Sequence, residues 1–489
     1  MGSVTRVARN TIFMSASSML GAFFSFLLGI VVARYLGTSG FGDYSFVIAF
    51  VAIFNIFFDS GLSVVVVREV ARNASEAQNY IRAALAAKII VTLLSFSALL
   101  AISLLAGYSF MITSALLVAG AAYVLLSFAT FFLSFFKAIE LMQYEAYLNV
   151  LERLANLAGV WIVMDQHGGL LRIMAVFLIV ACVKFAVTLF LMVRRFGKVV
   201  WPPEFALSKK ILILAVPFAL TTIFSTAYFN VDMLLLAFFK SSADVGLYNV
   251  AYRFIYAVAF IPNTFTVALL PMLSRLFVSS KESMRYAYEK AFKYILLLAV
   301  PAAVGGVLLA PRIIRFFYGE EFLDASPALA VLSIAGGIVF ISLLCNVMMT
   351  ALNLQKKNAM LALGNLVVNI ILDVALIPAY GIVGAGLATI AAEFCGMIGA
   401  SWLIHREIKP TLHASWLFKA IIATGAMAFA VISIENSLLL LPTFAIGVAV
   451  YSAAIVLLGY FAADDWKMMQ AIILASVAKI RGIAKRQAD

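Results

Sequence analysis

Residues Phe218–Pro271 read FALTTIFSTAYFNVDMLLLAFFKSSADVGLYNVAYRFIYAVAFIPNTFTVALLP. Two apolar runs, each long enough to cross a bilayer, flank the polar turn Lys240-Ser-Ser-Ala-Asp244. Each run carries a charge that hydrocarbon does not tolerate: Asp232 before the turn and Arg253 after it. At about 1.5 Å of rise per residue both sit about 10–14 Å below the same surface. An ionisable side chain at that depth marks a partner, a polar cavity or a pathway. The hairpin is therefore expected to line the route of an anionic substrate, with Asp232 and Arg253 paired directly or through water in the resting state.

The rest of the chain agrees with a membrane setting. Of its 489 residues 65% are hydrophobic and only 12% charged, with a mean hydropathy of +1.08. A water-soluble domain could not cover that surface with polar groups. Apolar runs of about twenty residues recur throughout, and the alternating short segments of a barrel do not, so an all-α polytopic membrane protein is predicted. About fourteen spans are expected, from Thr11–Ala33 and Tyr44–Val67 to Trp416–Ile434 and Leu438–Phe461. The first is too long for a signal-peptide core and is read as a retained span.

Basic residues set the orientation. Arg68, Arg72, Arg82, Arg194, Arg195, Lys209, Lys281, Lys290, Lys356 and Arg406 fall in one set of loops, and only Arg34, Arg172, Lys240, Arg312 and Arg315 in the other. Both termini are predicted to be cytoplasmic, in a cell (inner or plasma) membrane. The same rule accounts for the net charge of +12 without a nucleic-acid partner. The tail after Asp465 has the spacing of a helix lying on the cytoplasmic leaflet. Cys182, Cys345 and Cys395 fall inside spans and read as buried apolar residues rather than a disulfide framework.

An internal repeat divides the chain. Phe41-Gly-Asp-Tyr-Ser-Phe46 after the first span resembles Val245-Gly-Leu-Tyr-Asn-Val250 after the seventh. Two six-helix halves follow, at 1–200 and 201–410, with two extra spans and the tail at 411–489. Ser18, Ala22, Ser25 and Gly29 give the first span a face of small residues suited to helix packing. Pro217, Pro262 and Pro301 sit inside spans seven, eight and nine, where each removes a backbone hydrogen bond and can kink its helix.

Several spans hold polar residues. Asn149, Glu152, Arg153 and Asn156 share a face at the start of span five, read as a solvated cytoplasmic mouth with a local ion pair. Asn365, Asn369 and Asp373 recur at i, i+4 and i+8 in span eleven, and either bond neighbouring helices or line a cavity. Asp59 and Lys88 are expected to pair, Lys88 partly snorkelling. Lys184 lies deep in span six, and Glu393 is a lone acid in span twelve, a candidate proton site. No phosphate-binding GxxxxGK[ST], no HExxH and no Ser/His/Asp or Cys/His set occurs, so no catalytic residue, metal ligand or cofactor is assigned.

Ala33-Arg-Tyr-Leu-Gly37, Gly40-Phe-Gly-Asp-Tyr44, Asp59-Ser-Gly-Leu62 and Arg68 resemble the opening of polysaccharide (Wzx-type) flippases. Asn230-x-Asp232, Val245-Gly-Leu-Tyr248, Arg253, Leu270-Pro271, Pro378-Ala-Tyr-Gly381 and Gly384-Ala-Gly-Leu-Ala388 extend the resemblance over nearly the whole chain. That family belongs to the multidrug/oligosaccharidyl-lipid/polysaccharide exporter superfamily. The resemblance implies two six-helix bundles around a central cavity, and no enzymatic activity. It also implies transfer of an isoprenoid phosphate- or pyrophosphate-linked oligosaccharide to the outer leaflet, alongside glycan polymerase or ligase machinery. Basic cavity residues would hold the phosphate, a role that Arg34 and Arg253 match by position, with Asn230 and Asp232 in the same motif. Lys184 joins them by depth alone, and Asn365, Asn369, Asp373 and Asp59 are the candidate cavity lining. The alternative function is a multidrug/cation antiporter of the related extrusion type, which would use Asp59 as a cation site; a membrane glycan polymerase would need a large external loop that the chain does not have.

Overall fold

The structure, a computed structural model, describes residues 3–73, 77–197, 205–434, 439–462 and 465. The described residues are helical throughout, with no strand among them. In chain order they form α1 (Ser3–Asp59), α2 (Leu62–Arg72), α3 (Ala77–Leu105), α4 (Phe110–Ala138), α5 (Gln143–Asp165), α6 (Leu170–Phe196) and α7 (Phe205–Phe239). There follow α8 (Ser242–Ser279), α9 (Lys281–Tyr318), a short 3-10 helix (Glu320–Ala325), α10 (Ser326–Ala351), α11 (Gln355–Ile408), α12 (Ala414–Ser433) and α13 (Leu440–Leu457). Eleven stretches among the described residues are long and apolar enough to cross a membrane. Helices satisfy every backbone group internally, which is what hydrocarbon demands.

Two of these helices are hairpins. Gly381 interrupts α11 at φ 57° and ψ −133°, and the chain folds back on itself there. A Cβ on Gly399 would lie 2.7 Å from Leu361, and one on Gly396 or Gly384 would overlap Asn365 or the Leu376 carbonyl. These three contacts straddle Gly381 symmetrically, as antiparallel arms must. Gly37, at φ 69° and ψ −178°, interrupts α1 in the same way. The Arg253 guanidinium lies against both Gly29 and the Phe41 ring, which a straight helix would hold about 18 Å apart. Only glycine takes these left-handed angles without strain.

One apolar core joins the two halves of the chain through Phe41, Tyr44, Tyr248, Tyr318 and Phe322. Two local cores flank it: Leu62, Ile81, Phe131 and Met192 in the first half, and Met284, Leu344, Cys345 and Ile404 in the second. The outer surface is apolar too, with Leu105, Phe110 and Leu457 almost fully exposed. Lipid, not water, is the solvent that such a surface requires.

Two expectations need correction, on the cysteines and on the second span. Cys345 is buried, but Cys182 and Cys395 are exposed on the outer surface, because a small apolar residue is equally at home facing lipid. Pro217, Pro262 and Pro301 lie within helices that continue past them, as do Pro271, Pro311 and Pro378. The second span breaks at Ser60 and Gly61, both at positive φ, so α1 and α2 share it. The tail beyond Asp465 lies outside the described residues.

Candidate functional site

Gly21, Ser25 and Gly29 line one face of α1, and two arginines fill the space they leave. Arg153 of α5 donates from Nη1 to Ser25 Oγ. Arg253 of α8 donates from Nη1 to the Ser25 carbonyl at 3.4 Å and from Nε to Asn249 Oδ1 at 2.6 Å. A Cβ on Gly29 would stand 2.6 Å from Arg253 Nη1, and one on Gly21 3.2 Å from Arg153 Nε. Among the described residues neither guanidinium is salt-bridged to a carboxylate. Both act electrostatically on the Tyr44 and Tyr123 hydroxyls. Two cations from opposite halves of the chain thus converge on one residue and keep donors to spare. The small face of α1 makes room for charge, beyond the helix packing that its spacing suggested.

Beside Arg153 opens a cavity of about 470 Å³ between α1, α4, α5, α6 and α7. Arg153 lines it, and its other charges are neutralised in place. Lys184 Nζ donates to Glu152 Oε2 at 2.6 Å and to Asn149 Oδ1 at 2.8 Å. Glu152 therefore pairs with Lys184 and leaves its neighbour Arg153 unpaired. Asp59 accepts from Lys88 Nζ at 3.2 Å and from Ser63 Oγ at 2.6 Å. Lys88 does not snorkel: it is wholly buried, held also by the Phe58 carbonyl, Ser127 Oγ and the rings of Phe128 and Phe131. The depth of Lys88 in α3 leaves its ammonium no route to the surface, so the protein solvates it.

Of the two forms expected for an Asp232–Arg253 pair, the direct one does not form. Asp232 Oδ2 instead accepts from Tyr248 Oη at 2.5 Å and from Thr389 Oγ1 at 3.2 Å. Similar depth did not bring the two charges together, because they leave their helices in different directions. Asp232 points toward the second arm of α11, and Arg253 toward α1. Asn369 and Asp373 adjoin Asp232. Both are buried without a hydrogen-bond partner, as is Asp232 Oδ1. Two carboxyl groups sealed together are costly to ionise unless positive charge lies between them. No group of His, Cys, Asp and Glu able to hold a metal ion occurs among the described residues.

The remaining candidates separate. Asn365 lines a second cavity of about 200 Å³ with Tyr228 and Glu393, so the α11 stripe is part cavity wall and part buried cluster. Asn230 donates to the Thr226 carbonyl of its own helix at 2.8 Å. Arg34 is far from the two central arginines in role. Its Nε and Nη2 donate to the carbonyls of Phe317 and Phe316, at 2.7 and 2.6 Å, closing the last turn of α9. Glu321 answers from the other side, accepting from the Thr38 backbone N–H at 2.9 Å. Arg34 thus ties α1 to α9, where position in the sequence suggested a phosphate ligand.

Sequence reading missed Arg153, which sits among residues that look like a solvated mouth. It also missed Tyr228 and Thr389. Each lies four residues from an acid on its own helix, a signal that means something only once α7 and α11 are known to face each other.

The fold is shared with solved transporters. The lipid II flippase MurJ, in an inward closed conformation, superposes with a TM-score of 0.77 at 19% identity, over 92% of this chain and 99% of that one. An inward-facing multidrug resistance MATE family transporter of the MOP superfamily gives 0.62 at 16% identity, over 81% and 98%. By sequence, the chain is 28% identical to the probable flippase AglR of Haloferax volcanii, over 43% of this chain. It spans 45% of that relative's length. It is 24% identical to the probable low-salt glycan biosynthesis flippase Agl15 of the same organism, over 78% of this chain and 80% of that protein. Residues 7–277, more than half of the chain, match the family described as polysaccharide biosynthesis protein, and the chain belongs to that family.

Proposed function

We propose that this multi-pass membrane protein flips a lipid-linked oligosaccharide, carried on an isoprenoid phosphate or pyrophosphate, from the cytoplasmic to the outer leaflet for glycan biosynthesis. The observation that carries the reading is the meeting of Arg153 and Arg253 at Ser25 without a carboxylate. Guanidinium groups present planar forks that match phosphate oxygens. The adjoining cavity offers amides, hydroxyls and neutralised ion pairs, which suit a sugar. Relatives named as flippases and polysaccharide export proteins support the same substrate class.

In this reading α1 and α11 each count as two spans, giving fourteen. Residues 1–200 and 201–410 form two six-helix bundles, and 411–489 adds two spans and the tail. Both termini face the cytoplasm, and the Gly37, Lys240 and Gly381 turns face outward. The chain is a carrier, not an enzyme. Moving one negative charge outward gains about 2.3 kcal/mol per 100 mV across a membrane negative inside, so phosphate export needs no ATP. The antiporter alternative is less favoured, because its best acid, Asp59, is occupied by Lys88.

The test is flipping of a lipid pyrophosphate oligosaccharide in proteoliposomes at matched protein level. Arg153→Ala and Arg253→Ala should each slow it about tenfold or more, the worth of one charge-assisted hydrogen bond. Arg253→Lys should keep part of the rate, since charge survives and the fork does not. Wild-type rates in both alanine variants would refute the assignment.

A further inference from the structure

Helix α7 borders two cavities with opposite faces. Thr222 and Thr226 line the space beside Arg153. Phe224 and Tyr228 line the second one, between α7, α10 and α11. At about 3.6 residues per turn, residues two apart on a helix point in nearly opposite directions. The thickness of one helix, about 10 Å, therefore separates the two spaces. The first adjoins the arginines that converge on Ser25; the second has no part in that phosphate site.

The second cavity, of about 200 Å³, is lined by Asn346, Asn358, Asn365, Glu393 and the rings of Tyr228 and Phe229. Among the described residues, none of the three side-chain amides makes a hydrogen bond. Asn365 lies about 10 Å further along α11 than Asn358, away from the turn between α10 and α11. Gly396 makes room for it, since a Cβ there would overlap the Asn365 amide. Glu393 accepts from Tyr228 through Oε1 at 2.6 Å and keeps Oε2 for another donor. Phe229 packs edge-on against Tyr228 and Tyr256, at centroid distances of 5.5 and 5.3 Å, and still exposes its ring. Among the described residues no Lys or Arg lines this space. Each amide offers two donors and an acceptor, and such groups are costly at depth in a membrane unless something meets them.

We propose that the cavity between α7, α10 and α11 is a second glycan subsite, which takes an uncharged sugar ring of the oligosaccharide. The inference rests on the flippase reading and leaves the phosphate to Arg153 and Arg253. Amides and a carboxylate match the mixed donors and acceptors of sugar hydroxyls, while aromatic rings offer an apolar face to the sugar C–H groups. A space without a cation has nothing to hold a phosphate or an acidic sugar. A sugar next to the phosphate belongs to the first cavity, and one further along the chain reaches the second. The carrier thereby reads the length of its glycan as well as its anionic end.

Saturation-transfer NMR of the full-length protein in lipid nanodiscs tests this with free glucose, galactose, mannose and N-acetylglucosamine, which carry neither lipid nor phosphate. At least one should bind the wild type, and Asn365→Leu and Asn346→Ala should each weaken it about fivefold or more, the worth of one hydrogen bond. Glucuronate, held by the central arginines, should give a signal that Asn365→Leu leaves unchanged. Unaltered affinity for inorganic pyrophosphate in Asn365→Leu shows that the variant is folded. In proteoliposomes Asn365→Leu should slow flipping of a lipid pyrophosphate tetrasaccharide about fivefold and spare the lipid pyrophosphate monosaccharide. Neutral-sugar binding that is absent, or unchanged in both variants, would overturn the proposal. So would equal slowing of the two lipids. Wild-type flipping by Arg153→Ala and Arg253→Ala would instead refute the phosphate site and leave the neutral-sugar signal in place.

Discussion

Gly42 and Gly246 lie against each other where α1 crosses α8. A Cβ on Gly246 would stand 3.0 Å from the Gly42 nitrogen and overlap the Thr38 carbonyl, and one on Gly42 would overlap the Ser242 carbonyl. The two glycines hold the same place in the sequence repeat, Phe41-Gly-Asp-Tyr and Val245-Gly-Leu-Tyr. The repeat thus meets itself in space, and the halves of the chain close on one another at a contact that admits no side chain.

Gly42→Ala should force this contact apart. Overpacking a tight site costs about 1–3 kcal/mol, enough to loosen the helix contact seen here. A thiol probe on Ser242→Cys should react faster in the Gly42→Ala background than without it. Gly364→Ala, where nothing lies within 4 Å of a new Cβ, is the control and should change nothing.

Arg34 and Arg253 should separate cleanly by phenotype. Arg34 donates to the Phe316 and Phe317 carbonyls, so Arg34→Ala loosens the same closed contact. It should raise labelling of Ser242→Cys while leaving affinity for inorganic pyrophosphate unchanged. Arg253→Ala should do the reverse. Equal loss of pyrophosphate binding in both would return Arg34 to the substrate site.

Asp59→Asn should be more damaging than Lys88→Met. Removing the acid strands a wholly buried ammonium, whereas removing the ammonium leaves a partly exposed carboxylate still bonded to Ser63. Breaking a buried pair in this way costs about 3–5 kcal/mol. Thermal unfolding in detergent should place Asp59→Asn well below Lys88→Met, and the double change Asp59→Asn/Lys88→Met above Asp59→Asn alone.

Asp465 fastens the chain after α13 to the start of α9. Burial raises its carboxyl, but hydrogen bonds from Lys290, Lys293, the Ala462 N–H and Tyr294 outweigh that and hold it well below the usual aspartate range. A depressed folded value means that its stabilisation is complete above the unfolded value of about 3.9 and is lost as pH falls through the folded one. The difference in Tm between wild type and Asp465→Asn should therefore be flat from about pH 7 to about pH 5 and shrink only in stronger acid.

Orientation has its own check. Asp324 and Lys356 are both exposed, at opposite ends of α10. A membrane-impermeant thiol reagent added outside intact cells should label Asp324→Cys and miss Lys356→Cys. The reverse pattern would invert the direction of transport.

Hydropathy alone determined that this chain is a helical bundle in a membrane, because every span must be apolar along its whole length to sit in lipid. The repeat at Gly42 and Gly246 was legible as well, as was the Asp59–Lys88 pair, since a turn of a few residues brings those two charges together. Depth along a helix was also readable, and it placed Asp232 and Arg253 at similar levels. It could not say which way each side chain leaves its helix. That is set by rotation about the helix axis and by which neighbour packs on which face, both products of contacts between residues far apart in sequence. Hence Arg253 turned to α1 and reached Ser25, where Arg153 also ends, Asp232 turned to α11 and came beside Asp373, and Arg34 found the carbonyls of α9. Tertiary structure alone decided these partnerships, because a buried charge takes the nearest group that can satisfy it, and nearness across helices is not written in any single one of them.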